Sequence, residues 1–191
     1  MPLQRSVSRT IRIIMQPASV WATLGVTKQF LEDKGVWLSE QRDLEDEVAR
    51  FFIDAGNLVS FSWYHYPFAS LALFQSIIAV EKSLRLLNTH EKLAFRELFA
   101  EIIDQEIVTD AVFSKFELPS KDFELSRDFK EQVMEHRKSH LALLSHLIPN
   151  LRNKFFHGTY FMSPAFLPLC IQMRELADAL CPEIQRRNNR G

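Results

Sequence analysis

The residue types best suited to chemistry lie in one short segment, residues 151–158, which reads LRNKFFHG. On a helix, Asn153 and His157 lie four residues apart on the same face, and the long side chain of Arg152 reaches the same place. A guanidinium group binds two phosphate oxygens at once, and an imidazole moves a proton near neutral pH. Arg152, Asn153 and His157 are therefore candidate site residues, and the group that they suit is a phosphodiester.

The rest of the segment predicts how its helix ends and how it is held. Gly158 can adopt the left-handed conformation that caps a helix, which puts His157 in the last turn. There the helix dipole favours the protonated imidazole. Phe155 and Phe156 are expected on the opposite side of the helix, where they would anchor it in the core.

The elements that would position this segment are helices almost everywhere in the chain. Apolar residues recur with helical spacing, and no stretch alternates with period two for long enough to need a sheet. The chain has 16 Phe and only 5 Gly, which disfavours turn-rich β-sandwiches and barrels. We therefore predict an all-α fold, an up-and-down helical bundle with an additional N-terminal arm and short helix.

The limits of the helices follow from caps, glycines and prolines. The first predicted helix covers residues 19–33 and ends at Lys34-Gly35, the second is capped by Ser39, and the third is opened by Pro67. The fourth covers residues 93–113. The fifth starts near Lys121 or Leu125 and is kinked or restarted by Pro149, and the last covers residues 163–180 and stops at Pro182.

Charge is segregated along the chain, although the formal net charge is only −1. Residues 1–31 carry four basic and no acidic side chains, and residues 136–191 carry eight basic and three acidic ones. Because the middle is acidic, an anionic partner would meet the two ends of the chain. The predicted regions are 1–38 (a basic arm and short helix packed on the core), 39–182 (the helical bundle) and 183–191 (a basic tail).

Two features bear on the compartment. Cys170 and Cys181 are the only cysteines and form no CxxC pair, which fits a reducing compartment and excludes a zinc ribbon. Residues 58–80 contain no Asp, Glu, Lys or Arg and are long enough to span a bilayer, but Ser, His, Gln and Pro interrupt them. We interpret this run as a buried helix and predict a cytoplasmic protein without a membrane segment.

The pair Arg152-x4-His157, with Asn153 directly after the arginine, resembles the RxxxxH motif of the HEPN superfamily (higher eukaryotes and prokaryotes nucleotide-binding domains). The place of the motif late in a helical bundle is also similar, and the resemblance covers residues 40–181. It implies a metal-independent endoribonuclease without a cofactor, of the kind found among toxins and antiviral effectors. It also implies RNA as a partner, a homodimer that joins two motifs, and a neutralising antitoxin or nucleotidyltransferase-like protein.

Other interpretations of the same residues stay open. His157 could bond only the last carbonyls of its helix, and Arg152 could pair with an acid on a neighbouring helix. Glu81 and Arg85 could form an ordinary ion pair four residues apart, or Glu81 could face the motif and orient Arg152. The alternative function is then a non-catalytic bundle that binds a nucleotide, RNA or a partner protein.

Two further patterns predict no function of their own. His136 and His140 have the spacing of a metal pair, but Arg137 and Lys138 lie between them and no Glu completes an HExxH pattern, so we predict no metal site. The tryptophans and phenylalanines are not interleaved with basic residues. We therefore predict core or interface positions for them and no base-stacking platform.

Overall fold

The computed structural model describes residues 19–88, 93–113, 139–157 and 165–189. These residues form seven α-helices and one short 3-10 helix, and none of them lies in a β-strand. The helices pack on one another as a bundle around a shared apolar core, so the predicted all-α fold is confirmed. The helices are α1 (Ser19–Thr23), α2 (Lys28–Ser39), α3 (Asp46–Phe61), α4 (Pro67–Leu87), α5 (Phe95–Asp104), the 3-10 helix (Asp110–Val112), α6 (His140–Phe156) and α7 (Phe166–Asn188).

Helix α4 lies at the centre of the bundle and contains most of the uncharged run. Pro67 occupies its first turn, where a proline removes no helical hydrogen bond. The helix packs against α3 and α7 and also contacts α5 and α6. Its buried hydroxyls Ser76 and Ser83 donate to carbonyls one turn earlier, so they lie in the core with their hydrogen bonds made. Nowhere in the described ranges does a helix combine the length and the hydropathy that a membrane crossing needs.

The first predicted helix is divided in two, because the capping glycine is Gly25 and not Gly35. Gly25 adopts a φ of 67°, the left-handed conformation, shortly after the end of α1. Gly35 lies inside α2 at its contact with α3, where a Cβ atom would be 2.5 Å from the carbonyl oxygen of Gly56. The predicted helix end at Lys34-Gly35 is therefore wrong, because this glycine allows two helices to pack closely.

The next helix begins later than predicted. Ser39 is the last residue of α2, and its hydroxyl donates to the carbonyl of Gly35 at 2.9 Å, so it does not cap α3. Helix α3 begins at Asp46, with Asp46 and Glu47 in a first turn where the helix dipole favours acidic side chains.

Helix α7 continues past Pro182 to Asn188, so the predicted stop at this proline is wrong. A proline inside a helix removes one backbone hydrogen bond, and contacts further along offset that loss. Ile184 is buried, and Arg187 donates at 2.5 Å to the carbonyl of Leu87 at the end of α4. The first part of the predicted basic tail is therefore helical and packed.

Helix α5 ends at Asp104, earlier than the predicted limit at residue 113, and the 3-10 helix follows it. Several predictions fall outside the described residues: the basic arm over residues 1–18, the helix start near Lys121 or Leu125, the cap at Gly158, and the start of the last helix at residue 163. The division into three regions stays a prediction.

Candidate functional site

Helix α6 carries the candidate residues, and two side chains cap its N-terminus. The Ser139 hydroxyl accepts a hydrogen bond from the N–H of Ala142 at 3.2 Å. The carboxylate of Asp110, from the 3-10 helix, accepts from the N–H groups of His140 and Leu141, both at 2.8 Å. N–H groups in a first turn have no partner inside their own helix, so these contacts fix the start of α6.

The surroundings of Asp110 favour its charged form. Partial burial acts to raise its pKa, but hydrogen bonds from the backbone of Leu141 and His140 and from the Ser139 hydroxyl together lower the pKa below its usual value. The negative charge also meets the positive end of the α6 dipole. Helix α6 is therefore anchored at the end opposite to the candidate residues.

The middle of α6 runs through Pro149 without a restart. Pro149 is buried together with Ile148 and Leu151, and this packing offsets the hydrogen bond that the proline removes. One continuous helix therefore joins the anchored start to the candidate site.

The candidate residues lie in the last turn of α6 and directly after it. Arg152 and Asn153 lie in the helix, and His157 directly follows it, with φ −84° and ψ 9°. The N–H of His157 donates to the carbonyl of Asn153 at 3.0 Å. Asn153 and His157 are exposed, and the Arg152 side chain is 30% exposed. The structure thus places all three residues at one end of one helix.

Arg152 is held by two neighbours. Its Nε donates to Oε2 of Glu81 at 3.1 Å, and its Nη2 donates to Oε1 at 3.4 Å. Its Cζ lies 4.3 Å from the ring centroid of Phe156, within the range of a cation–π contact. The remaining nitrogen, Nη1, donates to no group among the described residues. Glu81 and Phe156 therefore orient the side chain.

Glu81, on α4, binds two arginines at once. Besides Arg152, its Oε1 accepts from Nη2 of Arg85 at 2.7 Å, one helical turn further along α4. The Glu81 side chain is only 11% exposed, whereas that of Arg85 is 38% exposed. Two guanidinium groups on one carboxylate leave a net positive charge, which favours an anionic ligand at the surface. The ordinary ion pair and the contact with Arg152, which the sequence left as alternatives, occur together.

The two phenylalanines of the segment have different surroundings. Phe155 packs against the core, with its ring centroid 5.4 Å from that of Phe74. Phe156 is 61% exposed. Because residues four apart share a helix face, Phe156 follows Arg152 to the surface. The prediction that both phenylalanines anchor the helix is therefore wrong for Phe156.

The metal-binding residue types do not cluster in the part of the chain that the structure describes. No group of three or more His, Cys, Asp or Glu side chains there is arranged to hold a metal ion. The ring of His140 lies 4.9 Å from that of Phe113, centroid to centroid, and His136 falls outside the described residues. Cys170 and Cys181 are both buried and free.

No family model matches this chain, and no curated protein or solved structure matches it either. The fold and the site themselves describe the protein: it is an all-α bundle with a positive cluster, formed by Arg85, Arg152 and Glu81, at one end of α6. Neither Arg85 nor Phe156 was predicted from the sequence to belong to this cluster. Signals for both exist, because Glu81 is the first charge after a long uncharged run and needs partners, and Phe156 lies four residues after Arg152.

Proposed function

We propose that this chain is a HEPN-type endoribonuclease that cleaves RNA without a metal ion. The 2′-OH of the substrate attacks the adjacent phosphorus, and the bond from phosphorus to the 5′-oxygen of the next nucleotide breaks. His157 accepts or donates a proton, Arg152 stabilises the charge that develops on the phosphoryl oxygens, and Asn153 positions the phosphate. The products carry a 2′,3′-cyclic phosphate and a 5′-hydroxyl.

The observation that carries the proposal is the way in which Arg152 is held. Glu81 takes two of its nitrogens, and Phe156 lies beside the guanidinium group, so the side chain is oriented before a substrate arrives. A donor that is fixed in advance needs no reorganisation as charge develops. Among the described residues nothing accepts from its Nη1, and Asn153 and His157 are exposed at the same helix end, which supports binding of a phosphate there.

Charge stabilisation is assigned to arginine because the residues around it do not suit magnesium. Mg²⁺ is bound mainly by carboxylates and water. The carboxylate that contacts Arg152 within the described residues is Glu81, and it already binds two guanidinium groups. We therefore expect cleavage to persist in excess EDTA.

A second copy of the chain is part of the proposal. One set of Arg152, Asn153 and His157 offers a single imidazole, whereas attack by a 2′-OH needs one group that accepts a proton and another that donates one. A two-fold axis beside the motif would supply both. We expect a dimer by sedimentation at micromolar concentration, and a monomer would count against this mechanism.

The biological setting of the proposal comes from the HEPN resemblance. We propose a toxin or an antiviral or stress effector in the cytoplasm, with a neutralising antitoxin or a nucleotidyltransferase-like protein as its partner. The free thiols of Cys170 and Cys181 suit a reducing compartment.

The ion pair at the site also favours a second function. Because Glu81 accounts for the orientation of Arg152 without any ligand, the cluster also suits a non-catalytic bundle that binds a nucleotide, RNA or a partner protein. Cleavage of RNA but not of DNA would distinguish the ribonuclease from the binding bundle, since only RNA has the 2′-OH that the cleavage step needs.

The test compares RNA with DNA of the same sequence, in excess EDTA, for the wild type, Arg152→Ala and Arg152→Lys. We expect cleavage of RNA alone, and a loss on the order of a hundredfold or more in both variants. Lysine does not rescue, because an ammonium group lacks the planar grip on two phosphate oxygens. Arg186→Ala is the matched control, because Arg186 forms a surface ion pair with Glu183 on α7.

Each alternative result is informative. Binding of both nucleic acids without any cleavage would replace the enzyme by the binding bundle. Undiminished cleavage by folded Arg152→Ala would remove Arg152 from the site. Circular dichroism of each variant shows whether the helical fold is retained.

A further inference from the structure

Phe156 is unusual among the aromatic side chains in the described ranges, because most of it lies at the surface beside the candidate residues. Within those ranges the exposed large apolar side chains are Val36, Phe61 and Phe156, at 66%, 56% and 61% exposure. A single exposed apolar residue is ordinary on a protein surface. Phe156 differs because polar and aromatic neighbours order it within the proposed site.

Two contacts orient the Phe156 ring although water reaches it. The Arg152 Cζ lies 4.3 Å from the ring centroid, and the ring of Phe74 lies 5.6 Å away between centroids, at an interplanar angle of 77°. Cation–π and edge-to-face contacts both stabilise one ring orientation. A ring that is already ordered loses little freedom when a planar ligand binds to it.

We infer that Phe156 stacks on an unpaired nucleobase of the substrate, next to the phosphate that Arg152 and His157 bind. The inference rests on the proposed function, and it names the substrate class as RNA that is single-stranded at the bound nucleotide. Bases inside a duplex are stacked on both faces, so only an unpaired base that leaves its stack offers a face to Phe156. Because every base has such a face, this contact selects an unpaired strand rather than a sequence.

The arrangement along α6 supports this role. Arg152 precedes Phe156 by one helical turn on the same face, and His157 follows it directly. A phosphate and a neighbouring base are joined through one ribose, so a group that binds the phosphate has a base within reach. The aromatic residues are not interleaved with basic ones along the sequence, but on this helix face an exposed ring and a guanidinium group are neighbours.

The test measures the affinity of two non-cleavable strands for the full chain by fluorescence anisotropy. One is a single-stranded 2′-O-methyl oligonucleotide, and the other has the same length and backbone but no bases. For the wild type we expect the strand without bases to bind about tenfold more weakly. Phe156→Leu should abolish this difference, whereas Phe156→Tyr should keep it. Phe61→Leu is the matched control, because Phe61 is a similarly exposed phenylalanine at the end of α3.

Three results would overturn the inference. In the first, Phe156→Leu keeps the full difference between the two strands. In the second, Phe156→Leu lowers the affinity for both strands equally, which would mean that Phe156 acts only through Arg152. In the third, Phe156→Leu converts a dimer into a monomer by sedimentation, which would place the ring between two copies.

Failure of the proposed function gives a different result. One such result is that the wild type cleaves no RNA while Phe156→Leu still abolishes the difference in affinity between the two strands. In that case the contact with a base is supported and the ribonuclease function is contradicted. If the wild type cleaves RNA and the difference in affinity persists in Phe156→Leu, the ribonuclease function is supported and the contact with a base is contradicted.

Discussion

Two arginines of this bundle each bind a carboxylate and lie beside a phenylalanine ring, but they differ in what is left for a ligand. Arg174, on α7, is fully buried, and its Nε donates to Asp178 at 2.9 Å. Its other two nitrogens donate to the carbonyls of Leu38 and Glu40, at 2.5 and 2.8 Å. Arg152 is 30% exposed, and two of its three nitrogens donate to described residues.

The difference separates an arginine that serves the fold from one that is available for binding. Arg174, on α7, joins this helix to the end of α2 through hydrogen bonds, and each of its nitrogens has a partner in the protein. Arg152 is oriented almost as firmly, yet its Nη1 is free of hydrogen bonds to the described residues. An oriented but incompletely bonded guanidinium group is what binding of an anion requires.

The largest expected effect is on stability. Arg174→Met removes a buried charge, leaves two carbonyls at the end of α2 without their donor, and leaves Asp178 with Arg42 as its remaining partner. We expect the free energy of unfolding to fall by about 3–5 kcal/mol. Arg152→Met should cost about 1 kcal/mol or less, since the pair is partly screened by solvent. Urea denaturation measures both, and equal losses would contradict the distinction between the two arginines.

A smaller effect is expected when the carboxylate partners are changed. Glu81→Gln keeps the shape of the side chain but removes the charge that orients Arg152, and we expect kcat to fall about tenfold. Asp178→Asn, the matched change beside Arg174, should lower the free energy of unfolding and leave kcat unchanged. The values of kcat and KM are measured at a temperature where both variants are folded.

The division between kcat and KM identifies the role of Glu81. As a positioning residue it should affect kcat more than KM, and Glu81→Asp should recover part of the rate. A fall in kcat of the same size in Asp178→Asn would show that any loss of packing lowers the rate, and the assignment of Glu81 would then be wrong.

The smallest expected effect comes from Asp110, which anchors α6 without touching either arginine. Asp110→Ala removes acceptors for the first turn of the helix, and we expect a cost of about 1 kcal/mol at neutral pH. The carboxyl has a lowered pKa in the folded state and an ordinary pKa in the unfolded chain. Its contribution is therefore complete above about pH 5 and is lost as the pH falls through the folded pKa.

Thermal unfolding of the wild type and Asp110→Ala between neutral and acidic pH measures this loss. The difference in Tm should shrink on acidification. A difference that stays constant down to the lowest pH would show that the charge of Asp110 contributes nothing. Asp110→Asn, which keeps an acceptor without the charge, isolates the electrostatic part.

Local signals in the sequence were sufficient for the fold class and for several helix limits. The helical spacing of apolar residues predicted an all-α bundle, and Pro67 marked the start of α4 because a proline suits a first turn. The spacing of Arg152, Asn153 and His157 placed them at one helix end, where the structure has them. These features depend on residues within one or two turns of each other.

The helix limits that were predicted wrongly, and the buried arginine that was not predicted, depend instead on contacts between distant segments. Gly35 marked a helix end in the sequence but lies inside α2, against the backbone of Gly56. Pro182 lies inside α7 because residues after it pack on the bundle. The burial of Arg174 carried no local signal, since the carbonyls of Leu38 and Glu40 that it binds lie more than a hundred residues away. Tertiary packing overrides local propensity at such positions.

The most direct test of the proposed ribonuclease site is the rate of RNA cleavage by His157→Ala, measured against the wild type across neutral pH in excess EDTA. His157 is exposed, so its removal should leave the fold intact. We expect a loss on the order of a hundredfold or more, and a residual rate that no longer changes with pH near neutrality. Unchanged cleavage by purified, folded His157→Ala would contradict the proposed site.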